Sequence, residues 1–179
     1  MKKNLFCRQI GNQTVPVIVF ILLIALMAGC STNNVSHVVS VSDNVYIVNI
    51  NARTATRKNP VSVELKAGTY NIDVIGMAEG GAYDAWKPWF YKAKKNNKGE
   101  WVIGWINKYS FSSDEFAEET CTDGIIYETP SLALANAINS QFTLRNTAIV
   151  NFYIIDSPNI DNSGGISLRI TPGLMNDYP

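Results

Sequence analysis

"VSVELKAGTYNIDVIG" (residues 61–76) decides the fold class. Val61, Val63 and Leu65 alternate with Ser62, Glu64 and Lys66. Beyond "KAG", Tyr70, Ile72 and Val74 alternate with Asn71 and Asp73. A period of two puts one set of side chains on a buried face and the other in water, which is a strand and not a helix. Gly68 supplies the backbone freedom for the turn between the two runs. The same pattern returns along the chain. "NVYIVNI" (residues 44–50) is apolar on both faces, "AIVNFYII" (residues 148–155) reads as a central strand, and "GISLRI" (residues 165–170) alternates Ile166, Leu168 and Ile170 with Ser167 and Arg169. Short strands punctuated by Gly, Pro and Asn predict an all-β fold, an antiparallel β-sandwich.

Less regular segments lie between these strands. "NNKG" (residues 96–99) reads as a hairpin turn, with "KAKKNNK" (residues 92–98) as its solvated tip. Pro88 requires an edge, a bulge or a loop. "SLALANAIN" (residues 131–139) fits one short helix or a loop over the core.

The N-terminus reads as a targeting segment. Lys2, Lys3 and Arg8 precede "VIVFILLIALMAG" (residues 17–29), an uncharged run of 13 residues. A bilayer-spanning helix needs about 20 apolar residues, so this is the length of a signal h-region. The run ends in Ala28, Gly29 and Cys30, which resembles a bacterial lipobox, although Met27 replaces the usual Leu. The resemblance implies a lipidated Cys30, carrying palmitate-type acyl chains, as the first mature residue. Each buried CH₂ contributes about 0.8 kcal/mol, and stable anchoring takes more than one chain. Ser31 in place of Asp after the Cys implies the outer membrane of a Gram-negative bacterium. The expected organisation is a signal peptide over residues 1–29, the lipidated Cys and a polar tether over 30–40, and one domain over 41–179.

Cleavage before Cys30 removes three of the fifteen basic residues and none of the fifteen acidic ones. The remaining charge of −3 offers no basic surface for nucleic acid. Cys121 is then the only cysteine beyond Cys30, so no internal disulfide can form, and a buried thiol is expected.

Motifs for catalysis are missing: there is no P-loop, GxSxG, HExxH or CxxC, and His37 is the only His. "DEFAEE" (residues 114–119) supplies acids, but such runs are usually a solvated face. The expectation is a protein that is not an enzyme. Eight aromatics fall between Tyr83 and Tyr109, including all four Trp. Trp86 and Trp89 flank Pro88 and are expected at the surface, where with Tyr83 they could stack on a ligand ring; Trp101 and Trp105 are the core candidates.

"DSPNIDNSGG" (residues 156–165) is richer in oxygen-bearing side chains than a turn needs. Ca²⁺ takes six to eight oxygens, and Asp156, Asp161, Asn162 and the main-chain carbonyl of Asn159 could contribute. The spacing is not that of an EF-hand. The stretch "NFYIIDSPNIDNSGGISLRI" (residues 151–170) resembles the closing hairpin of LecA-type calcium-dependent galactose-binding bacterial lectins. In that family an Asp ends a strand, an Asn pair follows, and "SG" opens the last strand; Asp156, Asp161, Asn162, Ser163 and Gly164 occupy those positions here. The resemblance also implies a carbonyl ligand at Leu65, before the Gly turn of "ELKAGTYNIDVIG" (residues 64–76). It implies a sandwich of jelly-roll or galactose-binding-like type, Ca²⁺ as the cofactor and a carbohydrate partner. The loop after Asp156 is two residues shorter than the family's, and "MAEGGAYDAWKPW" (residues 77–89) stands where the family carries its sugar-contacting His and Gln. The alternative from the residues themselves is a structural or protein-interaction lipoprotein of the envelope with no small-molecule ligand.

Overall fold

The computed structural model describes residues 36–173, apart from 43, 89–91 and 96–97. Cys30, the signal segment and Trp89 lie outside the described residues. Twelve strands are described: β1 (His37–Ser42), β2 (Val45–Asn51), β3 (Val61–Leu65), β4 (Gly68–Ile75), β5 (Trp86–Lys87), β6 (Lys92–Lys95), β7 (Trp101–Ile103), β8 (Lys108–Ser113), β9 (Phe116–Thr122), β10 (Ser140–Leu144), β11 (Ala148–Tyr153) and β12 (Ser163–Pro172). One short helix, α1 (Pro130–Ala135), begins at Thr129, whose side chain accepts from the Leu132 N–H as an N-cap. The all-β expectation holds.

The strands form two antiparallel sheets and a separate hairpin. The larger sheet runs β1-β2-β12-β4-β10, with β5 added to the start of β12; the smaller runs β3-β11-β8-β9; β6 and β7 pair with each other. Residues 37–40, read from the sequence as the end of the tether, belong to the edge strand β1, paired with β2.

The two runs that decide the fold class do not pair with each other. β3 lies in the smaller sheet and β4 in the larger, so the turn at residues 66–67 is a corner between sheets. Gly68, at φ 152°, opens β4. The connection from β10 to β11 makes the same crossing at the same end, because Leu144 pairs with Gly68 and Ala148 with Leu65.

Both sheets turn their alternate apolar residues into one core. Val48, Ile50, Ile72, Phe142, Ile166, Leu168 and Ile170 come from the larger sheet, and Val63, Leu65, Phe111, Val150 and Phe152 from the smaller. Phe111 joins the two, with its ring 5.7 Å from Phe142 and 6.1 Å from Phe152. Burying a Phe side chain contributes about 1.5–3 kcal/mol, so this cluster is a main source of stability. Cys121 is a free, buried thiol beside it, as expected.

The outer face of the larger sheet is covered at one end by residues 76–85. Ser167 Oγ accepts the N–H groups of Ala82 and Tyr83, both at 2.9 Å, and donates to Asn49 Oδ1 at 2.7 Å. Asn51 Nδ2 donates to the Tyr83 hydroxyl at 3.0 Å. These polar residues are buried because the segment lies on them, and each finds a partner there. A Cβ at Gly81 would come within 2.5 Å of the Ser167 side chain, so only Gly lets the segment lie this close.

Candidate functional site

The loop between β11 and β12 (residues 154–162) packs against the loop between β2 and β3 (residues 52–60). Ile154 N–H donates to Ala55 O, and Arg53 Nε donates to Ile160 O at 2.9 Å. The Asn159 side-chain amide donates to the Arg53 carbonyl. Asn162 Nδ2 donates to Ala52 O at 3.1 Å, which fixes the orientation of that amide.

The Gly pair closes the loop for two different reasons. Gly164 has φ 82°, and a Cβ there would meet the Ala85 carbonyl at 2.4 Å. A Cβ at Gly165 would lie 2.3 Å from the Ile50 carbonyl, so the close approach of β2 requires the second Gly.

Four buried side-chain oxygens lack a hydrogen-bond partner among the described residues: Asn107 Oδ1, Asp156 Oδ2, Asp161 Oδ1 and Asn162 Oδ1. Three of the four belong to this loop, and they are the three side chains that the sequence singles out as ion ligands. Leaving one such atom unpaired costs about 1–3 kcal/mol, more if charged. Asn162 is 1% exposed, so water does not reach it freely. Arg53 and Lys87 line the same cleft as Asp161 and Asn162, but neither forms an ion pair with Asp161. Among the described residues no three His, Cys, Asp or Glu side chains cluster; the oxygens here are two carboxylates and an amide. Asp161 and Asn162 line one cleft, and Asp156 lines another with Asn159; carboxylate and amide oxygens are the hard donors that Ca²⁺ takes.

The other expected contributions separate. The Asn159 carbonyl lies in the loop and accepts the Asn162 N–H at 3.2 Å, leaving one lone pair for another donor or a cation. Leu65 does not join the loop. It pairs with Ala148 at the start of β11, while Asp156 lies beyond the other end of that strand. At roughly 3.3 Å per residue, the strand alone separates them by about 17 Å. The corner after Leu65 faces the opposite end of the molecule from the loop, so a Leu65 carbonyl ligand is ruled out for this site.

The aromatic expectations are largely reversed. Trp86 is 1% exposed, because β5 pairs with Gly164 and its backbone bridges Ile106. Its indole N–H donates to Lys108 O at 3.0 Å. Pro88 ends that short edge strand; it does not turn Trp86 outward. Tyr83 is also buried, and burial pushes its hydroxyl pKa up. Trp101 is 51% exposed, contrary to its expected place in the core. Trp105 is half-buried, with the Lys87 ammonium 5.1 Å from its ring centroid. Arg53, Asp84, Lys87 and Trp105 are the groups around the clefts that sequence reasoning passed over as site residues; a cation–π contact between residues 87 and 105 has no local signal.

The acid run at residues 114–119 forms a turn and the edge strand β9. Glu118 pairs with Arg57 at 2.6 Å and accepts from the Tyr153 hydroxyl; Glu115 accepts from the backbone of Arg145 and Asn146. Among the described residues no helix is long and apolar enough to cross a membrane. Comparison of the chain with known protein families, with characterised proteins and with solved structures gives no match.

Proposed function

We propose that the chain is a lipid-anchored protein of the bacterial cell envelope, held at Cys30 in the outer membrane, and a binding module that does not act as an enzyme. In this reading its two sheets form a β-sandwich of jelly-roll or galactose-binding-like type. The loop over residues 154–162 takes up a divalent cation, Ca²⁺, through Asp156, Asp161 and Asn162, and the module binds carbohydrate with the ion's help. The observation that carries the reading is the set of three buried, unpartnered oxygens in one loop. A bound Ca²⁺ would satisfy them, and its preference for six to eight oxygens leaves positions for water or ligand hydroxyls.

Thermal unfolding of the protein in mild detergent tests the cation, with EDTA in one series and millimolar CaCl₂ in the other. Saturation to about 100 times Kd stabilises by roughly 2.7 kcal/mol. For a chain of this size that is an upward shift of about 5–10 °C. The shift should vanish in Asp161→Ala. A wild-type midpoint unmoved by CaCl₂, MgCl₂ or MnCl₂ would refute the cation site.

The burial of Trp86 and Tyr83 favours a second reading. A structural or protein-interaction lipoprotein needs these rings for packing and needs no small-molecule ligand. In that case the loop is a turn, and no cation moves the unfolding midpoint.

A further inference from the structure

A second cavity lies beside the start of β12, at Gly164, and none of the residues considered above as ion ligands lines it. Its volume is about 240 Å³, and Met77, Tyr83, Asp84, Trp105, Pro130 and Gly164 are among its lining residues. It is a little smaller than pockets that bury a drug-sized molecule, and matches one ring better than an extended ligand. Its walls are built, not incidental. Trp105 is held on both sides of its backbone, donating to Tyr127 O at 2.7 Å and accepting from Tyr127 N at 2.8 Å. Asp84 is fixed by two bonds: its Oδ1 accepts the Met77 N–H at 2.8 Å, and its carbonyl accepts from Asn107 Nδ2 at 3.2 Å. The floor cannot shift easily, since Ser167 pins Ala82 and Tyr83.

Two polar groups remain for a ligand. Asp84 Oδ2 and the Trp105 indole N–H take no part in the bonds that fix these walls. One is an acceptor of two hydroxyl protons and the other a donor, beside an aromatic face and the exposed Met77. The charges around the ring oppose each other, with the Lys87 ammonium over the Trp105 ring and the Asp84 carboxylate in the cavity wall. A ligand with a net charge of either sign would meet one of them unfavourably. A neutral ring with hydroxyls on its edge and C–H groups on its face fits the lining.

We propose that this cavity, between Trp105 and Asp84, is the subsite for a neutral sugar ring. The inference rests on the reading that the domain binds carbohydrate. It places the ring at Trp105 and not at Trp86 or Tyr83. The C–H face lies on the indole, and hydroxyls donate to Asp84 Oδ2 and accept from the indole N–H.

The test is binding of an array of neutral and acidic glycans to the wild-type protein, followed by titration with the best neutral glycan. Trp105→Ala should weaken binding by at least about tenfold, the size of one aromatic contact. Asp84→Asn keeps the shape and the contact to Met77 but loses a full carboxylate, and should weaken binding by a similar factor. Trp105→Phe retains a ring and should recover most of the affinity, which separates stacking from a folding defect. All three variants should keep the CaCl₂-induced rise in unfolding temperature. Wild-type affinity in Trp105→Ala and Asp84→Asn, with binding lost in Asp161→Ala, would overturn the Trp105 subsite and leave the carbohydrate reading standing. A preference for acidic glycans would overturn the subsite as well. Failure of the wild type to bind any glycan would overturn both.

Discussion

The turn at Glu115 and the loop at Asp161 both carry acids across the end of a strand, yet only one of them is complete in itself. Glu115 accepts three N–H groups, from the Arg145 and Asn146 backbone and from Asn146 Nδ2, and so ties the β8–β9 turn to the corner between β10 and β11. Its pKa is lowered, first by the Asn146 side chain and then by the Arg145 N–H. In the 154–162 loop the amides are bonded, but Asp156, Asp161 and Asn162 each keep a buried oxygen without a partner. An acidic run whose lone pairs are filled by neighbouring N–H groups is structural. The unpartnered oxygens of the other loop are the feature on which the proposed cation site rests.

Replacing Gly164 by Ala should do the most to break this contrast. It puts a Cβ into the Ala85 carbonyl and a side chain at positive φ, and it undoes the anchor of the unsatisfied loop alone. Strain and overpacking together should cost about 3 kcal/mol, read from urea unfolding, and the CaCl₂ response should go with it. A neutral result would mean that the loop is not held by that close approach. Next in size is the pair Glu115→Ala and Asp161→Ala. The first should lower the unfolding midpoint equally in EDTA and in CaCl₂. The second should lower it only in CaCl₂, by the whole of the ion-induced shift. Equal behaviour of the two variants would erase the distinction between the loops.

Acid gives the smallest effect. The carboxyl groups of Glu115 and Glu118 are held below their ordinary value of 4.5, Glu118 chiefly by the Tyr153 hydroxyl and then by Arg57. A carboxylate with a lowered folded-state pKa stabilises the fold above its unfolded value and loses that contribution as pH falls through the folded value. Stability should therefore be level above about pH 5 and decline below pH 4.5. Tyr153→Phe should make the decline shallower, as measured by unfolding midpoints across that range. An unchanged slope would show that the Tyr153–Glu118 contact contributes nothing in solution.

Much of this was legible in the sequence, for reasons specific to each element. β3, β4 and β12 follow from alternation, because one face of each meets the shared core, and β11 follows from its apolar run. The partners of β3 and β4 were not legible: a tight turn reads the same whether it closes a hairpin or rounds a corner between sheets. Asp156, Asp161 and Asn162 stood out because they exceed what a turn uses. Leu65 was misplaced because the similarity that suggested it carries no information about which end of a sheet a turn occupies. The aromatics were the weakest point. Pro88 made Trp86 look like a loop residue, but the pairing with Gly164 and the indole bond to Lys108 O depend on segments distant in the chain. Asn49 and Asn51 sit in an otherwise apolar strand, and only the covering segment 76–85 explains their burial.

The position of β12 has a consequence for how the protein comes to be folded. It is the last of the described strands in chain order and lies in the middle of the larger sheet, between β2 and β4. Until residues 163–172 emerge, β2 and β4 each present an open edge on the side that β12 fills. The pairings of β12 with β2 and with β4 are long-range in sequence, which slows folding. During that interval the gap is a template for the same strand of another molecule. Delivery of the whole chain before the sheet closes, and the company it keeps at that moment, thus decide whether one molecule or an exchanged pair results.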